Sequence, residues 1–158
     1  MVSGLKRTSN LIEKKYMKKD DIFLVDTNVI VYAYEMEESE RKNKALKILE
    51  KCYNNEITLA LSNQNLAEFS VVSLKKLKLN SGKVKETIRD ISNFAGFKKL
   101  FYTDKTVISA IEISEKYNMS FWDSLIAATM IENNILSIYT EKEKDFKVPS
   151  LNVINPFS

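Results

Sequence analysis

Short apolar runs alternate along this chain with stretches whose apolar residues recur every three or four positions. Ile22-Phe23-Leu24-Val25 is too short for a helix and reads as a strand buried on both faces. Ile57 to Leu61, Leu100 to Tyr102 and Ile135 to Tyr139 have the same character, and Leu151 to Ile154 makes a short fifth strand. The intervening segments carry the helical period. Val29 to Tyr34 is a short helix, and Ala45, Ile48, Leu49 and Cys52 form the apolar stripe of a helix over about Glu38 to Tyr53. Ser62-Asn63 opens a helix with Leu66, Phe69, Val72, Ser73 and Leu77 inward; after the turn Asn80-Ser81-Gly82 another helix carries Val84, Ile88, Ile91 and Ala95. Thr103 or Asp104 caps a helix with Val107, Ala110, Ile111 and Ser114 on its inner face, ending near Asn118. The most apolar helix follows Ser120, with Trp122, Leu125, Ile126, Thr129 and Met130 expected in the core. Helices between short β-rich runs predict an α/β fold, a single domain with a central parallel sheet of four to five strands flanked by helices on both faces.

Composition narrows the chemistry. A chain of 158 residues with 44% hydrophobic residues has the material for one sizeable core, and three glycines with two prolines argue against a turn-rich barrel. The single cysteine, Cys52, excludes an internal disulfide and fits a reducing cytoplasm. No histidine is present, which removes Ser-His-Asp and Cys-His catalysis and His-ligated zinc. Metal-dependent chemistry would have to rest on carboxylates, whose hard oxygens suit magnesium or manganese. The formal net charge of +3 permits a nucleic-acid partner without demanding one. No apolar run reaches the roughly 18 residues of a membrane span, and Met1 to Lys19 lacks the apolar centre of a signal peptide. Residues 1–20 read as a basic N-terminal extension, with Leu11, Ile12, Tyr16 and Met17 able to form a short amphipathic helix, and residues 21–158 as the domain.

Candidate site residues follow from where ligands bind in such sheets, just outside the carboxyl ends of the strands. Asp26 directly follows the first strand, although Asp26 or Thr27 could equally serve only as a helix cap. Glu68 lies about two turns into the helix after the second strand, either snorkelling at the edge of the apolar stripe or aimed at a positive group. Asp123 stands in the first turn of the most apolar helix, where Ser120-x-x-Asp123 is also a capping pattern. The loop after the fourth strand offers Glu141, Glu143 and Asp145, in an alternation of signs typical of a solvated loop. Carboxylates gathered on one side of a parallel sheet raise one another's pKa values, and a divalent cation is the natural resolution. Lys75, Lys76, Lys78, Lys83, Lys85 and Arg89 surround the turn at Asn80 to Gly82 and could steer a phosphate backbone, or simply be a solvated surface. Tyr32, Tyr34 and Trp122 are candidates for stacking on bases, with core packing the expected use of Trp122.

Taken together, Asp26-Thr27-Asn28 after an apolar strand, Gln64-x-x-x-Glu68-Phe69, Phe121-Trp122-Asp123-Ser124-Leu125-Ile126-Ala127-Ala128, Tyr139-Thr140 with Asp145-Phe146, and Val153-Ile154-Asn155-Pro156-Phe157 resemble a PIN domain. More narrowly they resemble the VapC-type toxins of prokaryotic toxin–antitoxin pairs. The resemblance runs in order from about residue 22 to 157. It implies a Mg²⁺- or Mn²⁺-dependent endoribonuclease acting on RNA, a small antitoxin protein as partner, and leaves a homodimer open. It also implies that Asp26, Glu68 and Asp123 hold the metal, with Asp145 as a fourth acid and Glu141 as its alternative. Many relatives place Asp or Asn two residues after the threonine, and this chain departs there with Lys142. Two other functions remain compatible with the residues: an RNA-binding module of the same fold without turnover, and a processing nuclease without an antitoxin.

Overall fold

The computed structural model describes residues 22–158. The basic extension and its short amphipathic helix lie outside the described residues. Five parallel strands form one sheet in the order β3-β2-β1-β4-β5. They are β1 (Ile22–Val25), β2 (Thr58–Ser62), β3 (Phe97–Leu100), β4 (Ser137–Tyr139) and β5 (Asn152–Ile154). The helices are α1 (Thr27–Ala33), α2 (Glu40–Tyr53), α3 (Asn63–Val71), α4 (Ser81–Asn93), α5 (Asp104–Tyr117) and α6 (Phe121–Glu132). A π-helical turn, Val72–Lys76, extends α3.

Alternation along the strands splits the core into two layers. Leu24 and Ala60 face one side, packed with Ile126, Met130, Ile135 and Ile138 beneath α5 and α6. Val25, Leu59 and Leu61 face the other, packed with Val29, Ile30, Ile48, Phe69 and Ile91 of α1 to α4. Both faces are therefore covered, which is what a fully parallel sheet requires.

Several boundaries carry recognisable cap chemistry. Ser39 caps α2 by accepting from the Lys42 N–H, and Ser62 caps α3 in a reciprocal box with Asn65. Asn55, Asn118 and Asn134 adopt left-handed φ values of 60°, 51° and 54° at or just beyond helix ends, a conformation asparagine tolerates better than most residues. Four expectations are corrected. Ala95 is exposed beyond the end of α4, and Ile111 of α5 is 48% exposed rather than on the inner face. The third strand begins at Phe97 and ends at Leu100 rather than running from Leu100 to Tyr102. It is an edge strand pairing only with β2, so exposed Lys98 and Lys99 are accommodated and the apolar content of the run misleads. Trp122 is not in the core: it is 60% exposed at the start of α6, because the buried stripe of that helix begins at Ser124.

The topology also fixes where a site can form. β2 and β3 lie to one side of β1, while the chain returns after α6 to place β4 and β5 on the other. The carboxyl ends of β1 and β4 therefore flank the point where the strand order reverses, the place where open parallel sheets bind ligands.

Candidate active site

Asp26 leaves β1 at this reversal point and caps α1. Its Oδ1 accepts from the Thr27 backbone N–H at 2.8 Å, and its Oδ2 accepts from the Thr140 hydroxyl at 2.7 Å and from the Asn28 amide at 3.3 Å. Its backbone N–H continues the sheet by donating to the Tyr139 carbonyl at 2.9 Å. The residue is only 5% exposed. Burial raises its pKa above the ordinary carboxylate value of 3.8; the bonds from Thr140 and Thr27 and the charge of Lys142 oppose this, and the charge of Glu68 adds to it. Asp26 is thus both a helix cap and a carboxylate whose ionised form is under-compensated.

Glu68 is tied to Asp26 through a single residue. Thr27 Oγ1 donates to Glu68 Oε2 at 2.9 Å, while Asn65 Nδ2 donates to Thr27 Oγ1 at 3.1 Å. The second oxygen, Glu68 Oε1, accepts from Gln64 Nε2 at 2.8 Å. The same Gln64 amide donates to the Trp122 carbonyl at 3.0 Å, linking α3 to the first turn of α6. Asn65 is completely buried and Gln64 nearly so. Of these connecting residues, Thr27 is legible in the sequence as a possible cap and Gln64 within Gln64-x-x-x-Glu68; no sequence pattern signals Asn65, whose amide reaches across to Thr27.

Asp123 approaches from the other side. Its Oδ2 accepts from the Ser120 hydroxyl at 2.8 Å, and its Oδ1 lies 3.8 Å from the Lys142 ammonium. Lys142 is anchored to the Asp26 network by its own backbone, whose N–H donates to Thr140 Oγ1 at 3.0 Å. Asp26 and Glu68 are therefore joined by Thr27, and Asp26 and Asp123 by the segment Thr140 to Lys142.

The loop acids separate. Glu141 accepts from the Tyr32 hydroxyl at 2.5 Å and pairs with Arg41 at 3.2 Å, and its N–H donates to Asn28 Oδ1 at 3.3 Å. Burial, then this bond to Glu141, pushes the Tyr32 hydroxyl up to about 12, so it remains a donor at neutral pH. Glu141, Lys142, Tyr32 and Asp26 share the wall of a cavity of about 320 Å³, which Lys76 of the basic group also lines. Asp145 is exposed, without a side-chain hydrogen bond or ion pair among the described residues, and is not in that wall. Glu68 and Asp123 are reached from the cavity through Thr27 and Lys142 rather than lining it.

Among the described residues, no three acids, cysteines or histidines stand close enough to hold an ion as they are arranged. The donor set nevertheless suits a hard cation. It consists of carboxylate, amide and hydroxyl oxygens, Asp26 is a buried carboxylate, and among the described residues Gln64 Oε1 is a buried acceptor with no partner, although the other end of its amide is on Glu68. An orphaned oxygen on the amide that holds Glu68 has a use for a cation or its hydration water.

Residues 23–149 match the PIN-domain family model, and the chain belongs to the PIN-domain family. Among solved structures, it is similar to a toxin–antitoxin complex from Klebsiella pneumoniae, at 20% identity and a TM-score of 0.63 over 85% of this chain and 97% of that one. It is also similar to VapBC2 from Rickettsia felis bound to a promoter DNA fragment, at 23% identity and a TM-score of 0.60 over 85% and 98%. A third is Mycobacterium tuberculosis VapC20, a sarcin–ricin-loop-cleaving toxin, at 16% identity and a TM-score of 0.59 over 74% and 86%. At these identities the likeness establishes the shared fold. No curated protein matches the chain.

Proposed function

We propose that this protein is a divalent-metal-dependent endoribonuclease, acting in the cytoplasm as the toxin of a toxin–antitoxin pair, with a small antitoxin protein as partner. The observation that carries the reading is the bonded chain Asp26–Thr27–Glu68, with Asp123 brought to Asp26 by Lys142, at the strand-order reversal of a PIN-family sheet. Asp26, Glu68 and Asp123 would hold Mg²⁺ or Mn²⁺, which supplies a counter-charge for the phosphate and a lowered pKa for water. Asp145, exposed on its loop, is the fourth acid of this reading only if that loop turns inward; Glu141 already faces the Asp26 cavity.

The chain's own residues supply the rest. Glu68, with one oxygen on Thr27 and the other on Gln64, is oriented to accept a proton from an attacking water. Thr140 and Asn28 fix the Asp26 carboxylate, so it need not reorganise during the reaction. Lys76, in the cavity wall, and the exposed lysines beyond it attract the phosphate backbone. Trp122, exposed beside Asp123, offers a face on which an unpaired base can stack.

The test is cleavage of fluorescent single-stranded RNA, including total cellular RNA, in Mn²⁺ or in EDTA. Cleavage in Mn²⁺ that EDTA and Asp26→Asn both abolish is the expected result. The Lys142–Asp123 ion pair favours a second reading, an RNA-binding module whose acid is already neutralised. Tight RNA binding with no cleavage in any divalent ion would establish that reading and overturn the first.

A further inference from the structure

The Lys142 ammonium stands 3.8 Å from Asp123 Oδ1, at an acid that the metal reading needs. A cation already beside that carboxylate competes with an incoming divalent ion for it. The pair is displaceable. At 3.8 Å it is a loose contact rather than a charge-assisted hydrogen bond of about 2.8 Å. The Lys142 side chain is 55% exposed and can leave for solvent, while the Asp123 side chain is 14% exposed and cannot follow. The backbone of Lys142 stays in place meanwhile, held by its bond to Thr140.

We propose that Lys142 is the resident cation of this site: its ammonium faces Asp123 in the metal-free protein, competes with a divalent ion for that carboxylate, and must be displaced for Asp123 to ligate. The proposal rests on the metal reading above and concerns the strength of ion binding, not turnover. It accounts for why no three acids close on a common point among the described residues: Asp123 is turned to the ammonium while Asp26 and Glu68 are held on Thr27.

Mn²⁺ binding to the full chain, followed by calorimetry and by the electron paramagnetic resonance signal of free Mn²⁺, tests this without any RNA. Wild type is expected to bind Mn²⁺, and Lys142→Ala to bind it about tenfold more tightly, because the competing charge is gone. Lys142→Asp should bind at least as tightly as Lys142→Ala, and Asp26→Asn not at all. Both Lys142 variants change an exposed loop side chain, and unchanged melting temperatures in EDTA would confirm that they fold. Lys142→Ala and Lys142→Asp titrating like wild type would overturn the role of Lys142 and leave the metal reading standing. No Mn²⁺ on wild type or on either Lys142 variant would overturn the metal reading itself, and this proposal with it.

Discussion

Thr27 joins the carboxylates that follow the neighbouring strands β1 and β2, so replacing it by the isosteric valine should cost more than a surface hydroxyl normally would. The hydroxyl makes two bonds, donating to Glu68 Oε2 at 2.9 Å and accepting from Asn65 Nδ2 at 3.1 Å. A hydrogen bond to a charged group contributes about 1.5–3 kcal/mol, but Glu68 is partly exposed, so water can replace some of it and about 1 kcal/mol is the reasonable share. Asn65 has no such relief. It is 0% exposed, and an amide hydrogen stranded there costs about 1–3 kcal/mol. The added methyl recovers up to about 0.8 kcal/mol by burial. The net expectation for Thr27→Val is a destabilisation of about 1–3 kcal/mol. With an m-value of about 2 kcal/mol/M, that lowers the urea midpoint by roughly 0.5–1.5 M at unchanged slope. Measured in EDTA, the loss belongs to the protein alone. Repeating the substitution in a Glu68→Ala background should leave only the Asn65 share, up to about 2 kcal/mol. A loss below about 0.5 kcal/mol, or one equally large in both backgrounds, would refute the view that Thr27 couples the two acids.

Two further outcomes follow from the same geometry. Asp26 has a folded-state pKa raised by burial, so in the window above 3.8 the folded protein holds its proton more tightly than the unfolded chain; this carboxylate therefore withdraws stability as pH rises through that window and withdraws none below it. Metal-free Asp26→Asn should melt above wild type at pH 7, with the difference shrinking as pH falls towards 4, and a variant that melts lower at pH 7 would show that the hydrogen bonds outweigh the burial. Trp122 is the sole tryptophan and 60% exposed, so its fluorescence should be quenched by single-stranded RNA in EDTA. Stacking of about 1–3 kcal/mol per base predicts that Trp122→Ala weakens RNA binding about 5- to 150-fold; unchanged fluorescence at saturating RNA, with unchanged affinity of the variant, would exclude the tryptophan from the interface.

What could be read from the chain alone depended on whether a residue acts locally or across the fold. β1, with Asp26 at its end, was legible because four apolar residues followed by a cap describe their own conformation. The helix end at Asn118 was legible for the same reason, since left-handed backbone has few tenants. β3 was not, because an edge strand needs only one apolar face, and Lys98 and Lys99 hide its start while Phe101 and Tyr102 imitate its continuation. Trp122 failed similarly: its spacing from Leu125 and Ile126 fits the buried stripe, yet α6 meets the core only from Ser124 onward. The candidate site divides along the same line. Asp26, Glu68 and Asp123 each look like ordinary capping or edge residues in their own segments, and all three are indeed partners of local hydroxyls or amides. What makes them a unit is Thr27 reaching Glu68 across 41 positions and Thr140 reaching Asp26 across 114, distances at which no local spacing rule operates. Lys142 carries that reasoning one step further. Within its loop it is one lysine in an alternating charged run, and only the closure of β4 against β1 gives its ammonium an acid to neutralise. The charge that governs how this site meets a cation is therefore a property of the folded sheet and of no segment taken singly.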